Sequence, residues 1–283
     1  IEINATTIDI NGAVDISGDT TTAGNLIINA NDKGLTLGAD QDATIFSDAA
    51  GAIYFTKGTD VTPASDDSEG WMQFIVGDSS KSYLNIYGGE GGGSSLYLYA
   101  DGGDDDDDKF QIQAGTGGNL TIESRSSGSW VSGITFDGSV GAVTMPVQPA
   151  FLVHPAAQQA NPGLNEVVVW GTEIFDQGAD FASNVFTAPV TGRYQFNVHM
   201  LLTGGFDTAH NYLGFNLVTS NRNYQWIVDP DIFDSAGNYY AVNFSMLADM
   251  DGADTAQVTH FFNGGTVQHD IDSGSYFSGH LAC

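Results

Sequence analysis

The sequence predicts an all-β chain in two parts, a slender strand-and-turn shaft over 1–145 and a compact β-sandwich over 146–283. Three observations predict it. In the first part apolar residues come in pairs separated by one residue; Gly, Asn, Asp and Ser fill the gaps between pairs; and longer, aromatic-rich runs crowd the second part. Alternation with period two puts every second side chain on one face of a strand, whereas a helix would repeat near 3.6.

The pairs begin at Ile1/Ile3 and continue through Leu26/Ile28, Leu35/Leu37, Ile53/Phe55, Leu96/Leu98, Phe110/Ile112, Leu120/Ile122 and Ile134/Phe136 to Val143/Met145. Between them lie stretches such as Gly88-Gly89-Glu90-Gly91-Gly92-Gly93, which supply the positive φ and side-chain-to-backbone bonds of tight turns. Each strand is short and has one apolar face, so a single chain buries it poorly. Either successive coils of one chain stack into a solenoid, or three chains turn their apolar pairs toward a shared axis. The spacing is irregular, and a solenoid asks for a steadier coil, so a trimeric β-helical or β-prism shaft is the expectation. The chain opens at Ile1 inside this repeat, which predicts further sequence upstream.

Within the shaft, Asp108-Lys109-Phe110-Gln111-Ile112, Gly117-Gly118-Asn119-Leu120-Thr121-Ile122-Glu123, Gly128-Ser129-Trp130, Ile134-Thr135-Phe136-Asp137 and Gly141-Ala142-Val143-Thr144 follow one another closely. This order resembles a segment recurrent in tail fibres and other structural proteins of marine and cyanobacterial phages. The resemblance implies a virion fibre.

The second part predicts strands at Glu166–Trp170, Arg193–Leu202, Tyr212–Thr219, Tyr239–Leu247, Gln257–Phe262 and Tyr276–Leu281. Branched and aromatic residues, frequent turns and no helical periodicity indicate an antiparallel sandwich. Pro149-Ala150-Phe151, Glu173-Ile174-Phe175-Asp176, the run Val185-Phe186-Thr187-Ala188-Pro189-Val190-Thr191-Gly192-Arg193-Tyr194-Gln195-Phe196 and the closing Ser275-Tyr276-Phe277-Ser278-Gly279-His280-Leu281 resemble the C1q/TNF-like jelly roll. That resemblance implies a trimeric head with a binding or adhesion role and no catalysis. The middle, 204–238, departs from the pattern.

Lys and Arg number 7 against 35 Asp and Glu, a formal net charge of -28. Binding phosphates needs Lys and Arg to displace counterions, so nucleic acid and anionic membrane are excluded as partners. With 41% hydrophobic residues the chain is not of disordered composition. Its only cysteine, Cys283, leaves no intrachain disulfide. No apolar stretch reaches the ~18 residues of a membrane span, so membrane insertion is not expected.

Several constellations could carry chemistry. Asp249, Asp251 and Asp254 surround Gly252 with a spacing similar to calcium loops, where hard oxygen ligands converge as the chain bends; the same residues equally suit a plain hairpin turn. Asp104 to Asp108 could gather cations or form a solvated loop. His260 and His269 face each other across a hairpin, within reach of a shared transition metal, if Gly264-Gly265 is the turn; they do not pair if Asn263-Gly264 is. Phe206, Tyr212, Tyr224 and Trp226 are candidate receptor contacts, since aromatic rings stack on sugars and dominate interfaces, although the same rings could fill the core. No nucleophile elbow, zinc-binding His-Glu pair, P-loop or dinucleotide glycine motif is present, so no enzyme is predicted.

The functional expectation is a homotrimeric bacteriophage tail fibre, located in the virion tail outside the cell. Its head binds a glycan or outer-membrane protein of a bacterial host, and its upstream part joins other tail proteins. Alternatives are a bacterial surface adhesin, a polysaccharide-cleaving tailspike using paired Asp residues, and a capsid-mounted head fibre.

Overall fold

The computed structural model describes residues 86–232 and 238–283, together with strands β1 (Gly34–Leu37), β2 (Ala43–Ser47) and β3 (Ile53–Lys57). The expected pairs at Ile1/Ile3 and Leu26/Ile28 lie outside the described residues. The chain divides into two units, Ile1–Tyr83 and Leu84–Cys283, so the division falls before the composition change near 145. In the first unit β1, β2 and β3 form an antiparallel sheet in chain order, with Leu35, Ile45 and Phe55 in one cross-strand row.

The second unit begins with an antiparallel meander of β4 (Ser94–Tyr99), β5 (Lys109–Ala114), β6 (Asn119–Ser124), β7 (Val131–Asp137) and β8 (Ala142–Thr144). A β-helical shaft is therefore not what the described strands build. The physical reason is in the connections. A wound, parallel arrangement needs a crossover of about a dozen residues or more, whereas turns this short can only return the chain beside itself. The β5–β6 turn shows how. Gly118 has φ +80°, a conformation that L side chains rarely adopt, and its amide donates to the Gly115 carbonyl at 3.2 Å.

The meander's two faces differ in kind. Leu96, Ile112, Ile122 and Ile134 share one row, and Leu120, Phe136 and Val143 another. Across the opposite face run Tyr97, Gln111, Glu123 and Ser132. There Gln111 Nε2 and Ser132 Oγ both donate to the Glu123 carboxylate, the latter at 2.6 Å. Tyr97 packs on Trp130 at 5.8 Å, and Arg125 lies over the Trp130 ring at 5.9 Å. These hydrogen bonds hold the Glu123 carboxyl below its ordinary range, against the opposing effect of desolvation.

The head is a two-sheet antiparallel sandwich. One sheet comprises β9 (Ala150–His154), β10 (Gln159–Ala160), β11 (Thr172–Gln177), β14 (Gly192–Gly204), β17 (Tyr239–Met250), β19 (His269–Ile271) and β20 (Tyr276–Leu281). The other comprises β12 (Phe181–Ala182), β13 (Val185–Thr187), β15 (His210–Thr219), β16 (Asn223–Val228) and β18 (Thr255–Gly264). After β13 the chain passes between the sheets repeatedly, in the manner of a jelly roll. Of the predicted strands, only Glu166–Trp170 is not one; it touches β18 through a single Val167–Thr259 bridge. No helix among the described residues is long and apolar enough to cross a membrane.

Strand β14 shows why this sequence makes a sandwich. Tyr194, Phe196, Val198, Met200 and Leu202 point inward and are buried, while Arg193 and Asn197 between them face out. The centre of the core is aromatic: Phe151 lies 4.9 Å from Phe181, 5.0 Å from Phe186 and 5.0 Å from Phe277. Tyr194 is fully buried yet satisfied, because its hydroxyl donates to the Val190 carbonyl at 2.8 Å.

Gly279 lets the rings meet. A Cβ there would lie 2.6 Å from Phe196 and 2.7 Å from Phe151. Gly279→Ala is therefore expected to destabilise the head by about 1–3 kcal/mol through overpacking, measured by urea denaturation. An unchanged midpoint would show that the rings are not held as described.

Candidate functional site

The four aromatic candidates fall in different places. Phe206 is only 6% exposed, and it stacks on His269 at 5.6 Å. Tyr224 and Trp226 alternate with exposed neighbours on β16 and pack against the core. Tyr212 is the member that reaches the surface. Of the four candidates, Tyr212 is thus exposed, Tyr224 and Trp226 are half-buried, and Phe206 takes the core alternative. The inward face of an edge strand claims two of the others, and the interior between the sheets claims Phe206.

Asp249, Asp251 and Asp254 sit where the chain crosses from β17 in one sheet to β18 in the other, not in a hairpin, and they do not converge. Arg222 Nη2 pairs with Asp249 Oδ2 at 2.7 Å. Asp254 Oδ2 accepts from Asn221 Nδ2 at 2.9 Å and from the Asp251 amide at 2.9 Å. A guanidinium within the donor set and a carboxylate committed to closing a turn do not fit Ca2+, which asks for free oxygens gathered around one point. The residues form a plain turn, as the alternative had it, but one that links the two sheets and does not close a hairpin.

Other carboxylates are used likewise. Asp207 accepts from the amides of Ala209 and Thr266 at 2.9 and 2.7 Å, and Asp176 from those of Asp180 and Phe181 at 3.1 and 3.0 Å. The Ala209 and Thr266 amides hold the Asp207 carboxyl below its ordinary range. The Gly163 amide and the Gln159 side chain do the same for Glu166. A carboxylate stabilised in its charged form is a turn cap and a poor general acid. Among the described residues, Asp101, Asp104 and Asp108 form the group whose carboxylate oxygens lie within 4.8 Å of one another, at the β4–β5 turn.

Beside this turn is an open groove of about 510 Å3 lined by Thr191, Arg193, Asn221, Arg222, Asp249 and Asp251. Arg193 and Arg222 are the only Lys or Arg residues after Pro146, and the fold brings both to this groove. Guanidinium, amide and carboxylate side by side offer fixed donors and acceptors, the chemistry that orients a hydroxyl-rich ligand. Sequence reasoning missed this site. The signal was the scarcity of basic residues in the head.

The histidines meet, though not across a hairpin. After Gly264 the chain changes sheets, so His260 on β18 and His269 on β19 face each other through the interior. His260 Nδ1 lies 3.2 Å from the Gly163 carbonyl, which can only accept, so Nδ1 carries the hydrogen and Nε2 accepts. His269 Nε2 then donates to His260 Nε2 at 3.0 Å. His210 Nδ1 donates to the Gly264 carbonyl at 2.6 Å, and this histidine is buried at the same end of the core. Its ligand atoms do not join those of the pair within 4.8 Å, so the three do not form a metal shell. Burial pushes His260 down and His269 down to about 3, and the neighbouring imidazoles add to both shifts.

No protein-family model matches the chain, and no curated protein matches it. Among solved structures it is similar to the globular domain of zebrafish complement 1qA protein, at 18% identity over 48% of this chain and 98% of that one, with a TM-score of 0.39. It is also similar to murine APRIL at pH 8.5, at 10% identity over 47% of this chain and 98% of that one, with a TM-score of 0.35. By its own strand order, the chain is an all-β protein that ends in an antiparallel, jelly-roll-like sandwich.

Proposed function

We propose that this chain is a subunit of a homotrimeric extracellular fibre, a bacteriophage tail fibre whose head attaches the virion to a bacterial host by binding and not by catalysis. One observation carries the proposal. A single chain joins serial short antiparallel strands, linked by Gly- and Asp-rich turns, to a head whose aromatic core is closed on itself. The first part suits a repeating spacer and the second a rigid platform for recognition. Glycan hydroxyls on the host surface, or polar groups of an outer-membrane protein, match the Arg193–Arg222–Asp249 groove, with Tyr212 as an exposed ring elsewhere on the head. Other tail proteins would be its partners within the virion. Calcium has no part in this scheme.

The test is adsorption. Fluorescently labelled full chain is expected to coat host bacteria and to block phage adsorption. Arg222→Ala is expected to weaken coating about tenfold, with the melting temperature nearly unchanged, because an exposed ion pair contributes little to stability. Failure to coat or block sinks the attachment role. Release of reducing sugar from host polysaccharide would favour the tailspike.

A further inference from the structure

We propose that the apolar face of the β4–β8 sheet is the surface on which copies of this chain pack against one another, a step that rests on the fibre-subunit assignment and names the contact within it. The sheet buries a glutamine and leaves its apolar rows open. On its polar face Gln111 is 3% exposed, although Tyr97 and Tyr99 there are 50% and 56% exposed, while on the apolar face Leu98 is 51% exposed and Phe110 and Leu120 are each 44%. Leu96, Ile122, Ile134, Phe136 and Val143 continue that face at 37–58%. Together these eight side chains present on the order of 650 Å2, near the roughly 800 Å2 per partner that a stable interface buries. A patch of this size uncovered in water is the mark of an association surface.

Two further features identify the occupant as a second copy. The chain carries a net charge of -28, so most approaches between copies bring carboxylates together. The cross-strand register places Glu123 and Asp137 on the opposite face, and the residues sharing the apolar rows are Leu, Ile, Val, Phe, Ala and Ser. This face is therefore one on which identical acidic chains can meet without repulsion.

The experiment compares the full chain with Leu98→Asp/Phe136→Asp by light scattering and sedimentation. Thermal unfolding of the head serves as the folding control. Wild type is expected at three times the chain mass, and the double variant to self-associate about a hundredfold more weakly, with its head transition retained. In a Cys283→Ser background, Ile122→Cys is expected to link copies through a disulfide on mild oxidation. A double variant that keeps the wild-type mass, with Ile122→Cys uncrosslinked, overturns this contact and leaves the fibre assignment standing, with assembly through the head. A monomeric wild type overturns both.

Discussion

Phe151→Ala is expected to lower the stability of the head by about 3–5 kcal/mol, the usual cost of emptying a large aromatic site from a packed core. Phe151 is 1% exposed and makes ring contacts with Phe181, Phe186, Phe196 and Phe277, which come from both sheets. Removing it leaves a void that neighbours in a sandwich cannot close without shifting strands. For a head of this size the melting temperature should fall by about 10 °C or more. Trp170, 5.7 Å from Phe277, reports the transition by fluorescence. A loss below about 1 kcal/mol would mean that the two sheets are not joined through this ring.

Acidification is expected to weaken the head through its buried histidine pair. His269 has a folded pKa of about 3 against an unfolded value near 6.5, and His260 shifts in the same direction. With the folded pKa depressed, the unfolded chain binds the proton more readily. The stability due to neutral His269 is therefore fully present above about pH 6.5 and declines as pH falls from there toward 3. By pH 4.5 the loss from His269 alone is about 2–3 kcal/mol.

The groups facing the pair are His210, which opposes protonation of both, and Glu166, which modestly favours it on His260. Unfolding free energies of wild type and His269→Leu, measured from pH 7.5 to 4.5, should diverge in slope. The variant is weaker at neutral pH, because His260 Nε2 loses its donor, but flatter below pH 6.5. Parallel curves would show that His269 does not titrate on unfolding.

The strands themselves were legible because alternation is local. Leu96/Leu98 and the alternating run of β14 mark strand faces without knowledge of any partner. The four-residue turn at Gly115 to Gly118 also carried the antiparallel return, a signal that the irregular beat of the repeat obscured. Sheet membership was not legible. His260 and His269 lie nine residues apart, and their meeting depends on the chain leaving one sheet after Gly264 and joining the other at β19. The loop position of Phe206 gave no periodicity from which to infer burial, and the carboxylate of Asp254 looked the same as a ligand or as a turn cap.

By itself the sequence determined that this is an acidic all-β chain, with a repetitive part of paired apolar residues and a closed aromatic sandwich beginning near Ala150. Spacing and composition act between neighbours along the chain, and they suffice for that. The tertiary structure alone decided which carboxylates cap turns, which rings are enclosed, that three histidines share the core, and that the meander buries Gln111 while its apolar rows stay exposed. Those outcomes depend on contacts between residues far apart in sequence, where the pairing of strands, and not the identity of any one residue, sets what each side chain touches.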